Sequence, residues 1–250
     1  MSNSSPAAPA VDELTASPAP FVTSPPRPVR SFVRRQGRLT TAQARAFDEL
    51  WPQFGCDWQP GTVLQPAALF GDDPALPVAL EIGFGNGEAL LQLASAHPER
   101  GYLGCDVHRP GVGHLLLELQ RRELVNVRVV CHDAVELLGH ALSSDCLSAV
   151  YLFFPDPWPK LRHHKRRLVQ PPFVNLLARA LRTGGDFHAA TDWQPYAAQM
   201  LTVLDNSAAF CNAVGAGQFA PRLPERPLTR FEQRGQRLGH AVFDLHYRRR

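Results

Sequence analysis

Five carboxylates in this chain of 250 residues stand at the ends of short apolar segments. They are Glu81, Asp106, Asp133, Asp156 and Asp192. A single aspartate in such a place is most often a helix cap or a turn former. Five in succession would make one edge of a parallel sheet acidic, because the carboxyl ends of parallel strands meet at the same edge. An acidic edge suits a cationic ligand that carries hydroxyl groups, and it disfavours a cofactor with phosphates.

Three glycines follow the first carboxylate in the sequence EIGFGNGE. Gly83, Gly85 and Gly87 alternate with other residues, so a ligand can approach the backbone without meeting a Cβ atom. The helix predicted to follow would present free N–H groups to that ligand. The spacing differs from the G-x-G-x-x-G fingerprint of dinucleotide-binding folds. An ordinary glycine-rich turn remains an alternative for this motif taken alone.

The positions of three carboxylates suggest how they would hold such a ligand. Asp106 lies about twenty residues beyond the glycines, where an acidic side chain can accept hydrogen bonds from ribose hydroxyls. Asp133 is placed to meet an adenine amino group. Glu81 can meet an ammonium group directly or through water.

A stiff loop with a basic continuation follows the fourth predicted strand, in the sequence FFPDPWPKLRHHKRR. Its three prolines suppress helix formation and carry Asp156 and Trp158 to the sheet edge. Trp158 either holds a planar base or packs on the core. Seven basic or histidine residues follow: Lys160, Arg162, His163, His164, Lys165, Arg166 and Arg167. Such a run is often only a solvated face, but beside a cofactor site it favours a track for a phosphate backbone.

The apolar pattern predicts alternating strands and helices. Strands are expected at residues Val78–Ile82, 102–107, 127–131, 147–154 and 187–191, with an antiparallel closing strand at 241–247. Helices are expected at residues 41–54, 87–96, 110–123, 134–140, 171–182 and 195–205. Successive strand–helix units require a mostly parallel sheet with right-handed crossovers. The fold class is therefore α/β, with a doubly wound sheet.

Composition bounds the rest of the prediction. Residues 1–33 form a tail rich in proline, alanine and serine, which is predicted to be disordered, and residues 34–250 form one domain. Five scattered cysteines without a C-x-x-C pair argue for a reducing, cytoplasmic setting and against a metal site. No apolar run is long enough to span a membrane, and the N-terminus shows no secretory signal. Both a monomer and a homodimer are compatible with these features.

Several segments together resemble the bacterial tRNA (guanine-N(7)-)-methyltransferase family. They are EIGFGNGE, GCDVHRPGVG, CHDAVELL, LFFPDPWPK with HHKRR, ATDWQPYA and TRFEQRGQRLGHAVFDL. The resemblance covers residues 34–247 in order, and the proline-rich loop and the TRFE…RGQRLGH segment are its specific parts. It implies a Rossmann-type fold, S-adenosylmethionine as the cofactor, and methyl transfer to N7 of a guanine in tRNA.

The resemblance also implies roles for individual residues. Cofactor contacts fall on Glu81, Asp106, Asp133 and Asp156, and Asp156 is also the active-site aspartate. RNA contacts fall on residues 162–167, and substrate contacts fall on Lys160, Asp192, Thr229, Arg230, Phe231 and Glu232. The family commonly has glutamate where this chain has Asp106, so the ribose contact is expected to be shifted or weakened.

Three other functions would each explain only part of this pattern. A methyltransferase for a small molecule or a protein would keep the carboxylates but would not need the basic run. A non-catalytic RNA-binding module would need the basic run but not the carboxylates. A nucleotide-dependent oxidoreductase would show the longer glycine spacing, which is absent here. The carboxylates, the proline-rich loop and the basic run together favour the tRNA enzyme.

Overall fold

A single seven-stranded sheet organises the chain. The computed structural model describes residues 1, 30–32, 37–71, 73–228, 232, 239 and 241–250. The strands are β1 (Val78–Ile82), β2 (Gly101–Cys105), β3 (Val127–Val130), β4 (Leu147–Phe153), β5 (Leu181–Thr191), β6 (Phe210–Asn212) and β7 (Phe243–Arg249). Their order across the sheet is β3-β2-β1-β4-β5-β7-β6.

The first five strands run parallel, and β7 pairs antiparallel with both β5 and β6. The predicted doubly wound α/β fold with an antiparallel closing strand is therefore confirmed. In this order, the carboxyl ends of β1 and β4 meet at the centre of the sheet, where the chain switches direction across it. Ligands of open α/β sheets bind at such a point.

Helices cover both faces of the sheet. They are α1 (Thr41–Glu49), α2 (Trp51–Phe54), α3 (Glu88–Ala96), α4 (Arg109–Arg121), α5 (Ala134–Glu136), α6 (Pro171–Ala180) and α7 (Gln194–Asp205). The first four, α1–α4, pack on one face through residues such as Leu90, Leu115 and Leu116. On the other face, α6 and α7 bury Phe173, Leu177 and Tyr196 against the sheet. The central strand β1 is buried along its whole length, as a strand covered on both faces should be.

The observed boundaries differ from the predicted ones where local chemistry intervenes. The single helix predicted over residues 41–54 is two helices, because Pro52 in the first turn of α2 has no N–H to continue α1. The strand predicted to begin at Phe187 begins at Leu181, because Gly184 and Gly185 lie in an irregular stretch of strand instead of a loop. Strand β6 was not predicted.

The described helices are all short. None of them combines the length and the apolar character needed to cross a membrane.

Candidate active site

A cavity of about 450 Å³ opens at the carboxyl ends of β1, β2, β3 and β4. Its lining includes Gly83, Gly85, Asp106, Asp133 and Asp156. These five residues are separated by up to 73 positions in the chain, and the parallel strands bring them to one edge of the sheet. The sequence prediction of an acidic rim at this edge matches the geometry for three of the five carboxylates.

The glycine loop forms one wall of the cavity. Gly83 has φ +71° and Gly85 has φ +60°, values that residues other than glycine rarely adopt. A Cβ atom on either residue would meet nothing within 4 Å. The space beside these two backbones is therefore open to a ligand, as the glycine spacing indicated.

Asp106 ties this loop to the start of α4. Its carboxylate accepts hydrogen bonds from the backbone N–H of Gly85 and of His108, both at 2.8 Å. Burial raises the pKa of Asp106, although these two hydrogen bonds act in the opposite direction. The short side chain of Asp106 is thus already engaged with the backbone of the glycine loop and of the residue that precedes α4.

Gly111 is a site residue that the sequence analysis missed. A Cβ atom on Gly111 would lie 2.0 Å from the carbonyl oxygen of Gly85. Only glycine allows α4 to approach the glycine loop so closely. The signal was present in the sequence as GVG within the first turns of α4, but only the fold shows which backbone it meets.

Glu81 lies beside the cavity and not in its lining. Its side chain is 3% exposed, and its Oε2 atom has no hydrogen-bond partner among the described residues. Burial, with a further contribution from the negative charge of Asp106, raises the pKa of Glu81 to about 8. A buried carboxyl with an unsatisfied oxygen beside a ligand cavity is a strong indication of a missing cationic or donor partner.

The loop after β4 carries Asp156 into the cavity on a strained backbone. Phe154 has φ +51° and Trp158 has φ +45°, a region that costs a bulky residue of order 1–3 kcal/mol. Asp156, between them, is exposed and lines the cavity. Strain of this kind persists where the surrounding structure holds a side chain in a required position. Asp133 is held differently, as the cap of α5, where it accepts a hydrogen bond from Val135 N at 2.9 Å.

The ring of Trp158 is neither packed on the core nor free to contact a ligand in the cavity. Its Nε1 donates a hydrogen bond to the carbonyl oxygen of Ser31 at 2.9 Å, and the guanidinium of Arg166 lies 4.1 Å from its ring centroid. Arg166 also donates hydrogen bonds to the carbonyls of Arg30 and Phe32. Ser31 and Phe32 line the cavity, so residues 30–32 lie against the loop and the candidate site.

The basic run after the loop divides into an exposed part and a buried part. Lys160, Arg162 and Lys165 are exposed beside the cavity, as a surface for a polyanion requires. His163 and His164 are half-buried in the same turn; slight desolvation and the positive charge of neighbouring arginines lower the pKa of His163. The positive charge of this surface therefore comes from its lysines and arginines.

Arg167 does not belong to the exposed surface on which the sequence analysis placed it. It is 3% exposed and donates hydrogen bonds to the carbonyl oxygen of Pro157 at 2.9 Å and to Gln199 Oε1 at 2.6 Å. Its guanidinium also lies over the ring of Tyr196. Because these contacts are all internal, Arg167 anchors the proline-rich loop to α7 and is not placed to contact a polyanion.

Two predicted substrate contacts are not among the described residues that line the cavity. Asp192 follows β5 and is half-buried. Glu232 is buried and binds Arg226 through two hydrogen bonds, at 2.6 and 3.2 Å. The other three residues of that predicted contact segment, Thr229, Arg230 and Phe231, lie outside the described residues.

Arg226 is a second residue that the sequence analysis missed. Its fully buried guanidinium also donates a hydrogen bond to Asp244 at 3.1 Å. It lies over the rings of Phe153 and Phe154, at 5.7 and 5.4 Å from their centroids. Arg226 and Glu232 therefore support the beginning of the loop that carries Asp156. An isolated arginine in a polar segment gave no signal of this role.

Comparisons with known proteins agree on the class of the chain. Residues 75–245 match a family model described as "Putative methyltransferase". The chain is 56% identical over 225 residues to the tRNA (guanine-N(7)-)-methyltransferase of Alkalilimnicola ehrlichii, covering 90% of this chain and 94% of that one. It is 55% identical over 219 residues to the enzyme of the same name from Sodalis glossinidius, covering 88% and 90%.

A likeness to a solved structure supports the fold. The structure of the 16S rRNA methyltransferase KamB superimposes with a TM-score of 0.53 at 17% sequence identity, covering 87% of this chain and 97% of that chain.

Proposed function

The chain belongs to the tRNA (guanine-N(7)-)-methyltransferase family, and from this premise we propose how its residues act. The reaction is methyl transfer from S-adenosylmethionine to N7 of a guanine in tRNA. The observation that carries the assignment of residues is the cavity at the carboxyl ends of β1–β4, with carboxylates inside it and exposed cations beside it.

The cavity fits the cofactor on chemical grounds. S-adenosylmethionine carries an ammonium group, a sulfonium, two ribose hydroxyls and an adenine, and when bound it supplies an electrophilic methyl group. The unsatisfied oxygen of Glu81 suits the ammonium, and the open backbone at Gly83 and Gly85 leaves room for a close approach. We assign Asp106 to the ribose and Asp133 to the adenine. Gly87, which starts α3 at φ +82°, shapes the same loop.

We assign to Asp156 the positioning of the guanine and the stabilisation of charge. N7 of guanine has an available lone pair, so no proton has to be removed before it reacts, and no general base is required. The purine gains positive charge as it is methylated. A carboxylate held beside it by the strained loop stabilises that charge where it develops, and fixing the ring in line with the methyl group lowers the entropic part of the barrier.

We assign the exposed cations to the RNA backbone. Lys160, Arg162 and Lys165 form a basic surface beside the cavity mouth, and phosphate contacts of this kind hold RNA without reading its sequence. His163, His164 and Arg166 complete the turn that presents them. Asp192 and the segment containing Thr229, Arg230, Phe231 and Glu232 are proposed to act on the substrate side, with Glu232 acting through Arg226. Because the substrate is tRNA, we propose that the reaction takes place in the cytoplasm.

The test uses purified full-length chain, methyl-labelled S-adenosylmethionine and unmodified bulk tRNA. The RNA is digested to nucleosides and the labelled nucleoside is identified. We expect 7-methylguanosine from the wild type and a loss of about 10²–10³-fold in kcat for Asp156→Asn. Asp48→Asn, which changes an exposed aspartate on α1, is the matched control and should retain full activity.

The pH dependence separates the proposed role of Asp156 from that of a base. Without a base, the loss in Asp156→Asn should be the same at every pH in the working range. Near-normal turnover by Asp156→Asn would refute the assignment. Label in a different nucleoside would refute the choice of base, and cofactor binding without transfer to RNA would favour a small-molecule or protein substrate.

A further inference from the structure

Away from the cavity, three side chains that can bind a metal share one face of the sheet. Asp186 and His188 are two residues apart on β5, so they point to the same face. His246 on β7 is the direct antiparallel partner of His188. Each of the three residues offers one ligand atom, and these atoms all lie within 4.8 Å of one another.

We propose that Asp186, His188 and His246 form a binding site for a divalent first-row cation of the class of Zn²⁺. Two imidazoles and one carboxylate are a ligand set that suits Zn²⁺, Co²⁺ and Ni²⁺. Three protein ligands leave the remaining coordination positions to water. This site goes beyond the proposed methyl transfer, because none of its residues lines the cofactor cavity.

The contacts within the cluster are already close to those of a metal site. His246 Nε2 lies 2.8 Å from Asp186 Oδ1, near the separation of two adjacent ligand atoms on one small cation. The rings of His188 and His246 stack with their centroids 4.1 Å apart and their planes at 18°. Rotation about χ2, which is a broad torsion in histidine, would turn a nitrogen of each ring toward a common point.

Two of the ligand groups have atoms that make no hydrogen bond with the described residues. The half-buried imidazole of His188 makes no hydrogen bond to any described residue and is held only by stacking between His246 and Tyr151. All the described hydrogen bonds of the Asp186 carboxylate use Oδ1 and come from His246 and Arg248. Oδ2 of Asp186 accepts none from the described part of the chain. A cation would satisfy these atoms without breaking the contact with Arg248.

The groups around the cluster set its expected affinity. Arg248 donates two hydrogen bonds of 3.2 Å to Asp186 Oδ1 and would orient the carboxylate from behind, as outer partners of metal ligands do. Arg100, Arg182 and Glu225 line the groove that leads to the cluster. The net positive charge of these three side chains opposes a cation, so we expect weaker binding than at a closed site with four ligands.

A bound cation would join β5 to the closing strand. The pair continues from His188 and His246 to Ala190 and Asp244, and Asp244 holds Arg226 beneath the loop of Asp156. Because the ligands come from both strands, the cation should stabilise the folded chain. At a hundredfold excess over Kd, we expect Tm to rise by roughly 5–10 °C.

The test measures Zn²⁺ binding to the full-length chain, free of any affinity tag, without cofactor or RNA. Titration calorimetry and a thermal melt are run on the wild type, His246→Gln and Asp186→Asn. We expect one ion per chain in the wild type, and loss of both the binding and the Tm shift in each variant. His140→Gln is the matched control, because His140 is exposed on a different element, and it should behave as the wild type does.

Co²⁺ distinguishes this site from one built on cysteines. Ligation by nitrogen and oxygen gives weak visible bands, whereas a thiolate ligand adds a strong near-ultraviolet band. Wild-type chain that binds no ion at one equivalent, variants that bind as the wild type does, or a thiolate band would each overturn the proposal. Since none of these readouts involves methyl transfer, they fail or succeed independently of the proposed function.

Discussion

The raised pKa of Glu81 predicts that cofactor binding is linked to proton release. Its pKa of about 8 in the free chain means that, at pH 7, roughly nine in ten molecules carry the proton on this carboxyl. The ammonium of S-adenosylmethionine, which we propose lies against Glu81, would favour the ionised carboxylate. Binding at pH 7 should therefore release about 0.9 proton per ligand from this residue.

The same shift sets how affinity and stability vary with pH. Between pH 6 and 7.5, we expect the Kd for S-adenosylmethionine to fall by nearly tenfold per pH unit, because the carboxylate form becomes more populated. The stability of the free chain should decrease as pH rises, whereas the affinity for the cofactor increases. The folded chain keeps the proton between pH 4.5 and about 8 whereas the unfolded chain loses it, so stability falls as pH rises through this window, by about 5 kcal/mol at most.

The assay is titration calorimetry at pH 7 in phosphate and in Tris, two buffers with different ionisation enthalpies. The difference in apparent binding enthalpy between the buffers gives the number of protons released. Glu81→Gln is the control, because it keeps the shape of the side chain and removes the titration. Equal enthalpies in the two buffers for the wild type, or the same proton release from Glu81→Gln, would refute the reasoning.

Three further predictions concern the surface, the glycine loop and the buried ion pairs. Arg162→Ala and Lys165→Ala should each reduce the slope of log K for tRNA binding against log salt concentration by about 0.7–1. Arg167→Ala should lower Tm and leave that slope unchanged. Filter binding at several salt concentrations, together with a thermal melt, distinguishes the two patterns. Gly85→Ala should raise the Kd for S-adenosylmethionine about tenfold or more, since the new methyl group enters space that is open in the cavity wall; a titration showing unchanged Kd would contradict this. Arg226→Met should cost about 3–5 kcal/mol of stability in a urea unfolding experiment, because it removes the buried guanidinium that binds two buried carboxylates; a change below 1 kcal/mol would count against that account.

The sequence predicted the sheet and the edge at which the site lies because both depend on local patterns. Strand β1 matches its predicted bounds, since a buried apolar run ending in glycines has few other readings. The beginning of β5 was predicted wrongly because a local breaker was overridden. Gly184 and Gly185 usually end an element, but here β5 pairs with β4 on both sides of them, at Leu181 and again from Asp186 onward.

The side-chain roles that the sequence could not predict depend on contacts between distant segments. Arg167 sits in a run of exposed cations and reads as one of them, and only its contacts with Pro157 and Gln199 show that it is internal. The sequence spacing of Asp186, His188 and His246 does not match a metal-binding motif. His246 lies 58 positions after His188, and only the pairing of β7 with β5 brings them together.

The contact between Gly111 and Gly85 makes the wall formed by the glycine loop rigid. The glycine loop is locked to α4 by this contact, and α4 is locked to α1 by the hydrogen bond from Gln43 Nε2 to the carbonyl of Pro110 at 2.9 Å. Displacing the loop would therefore require three elements to move together. The wall that we propose holds the ribose is therefore a fixed template, which a ligand has to fit as it stands.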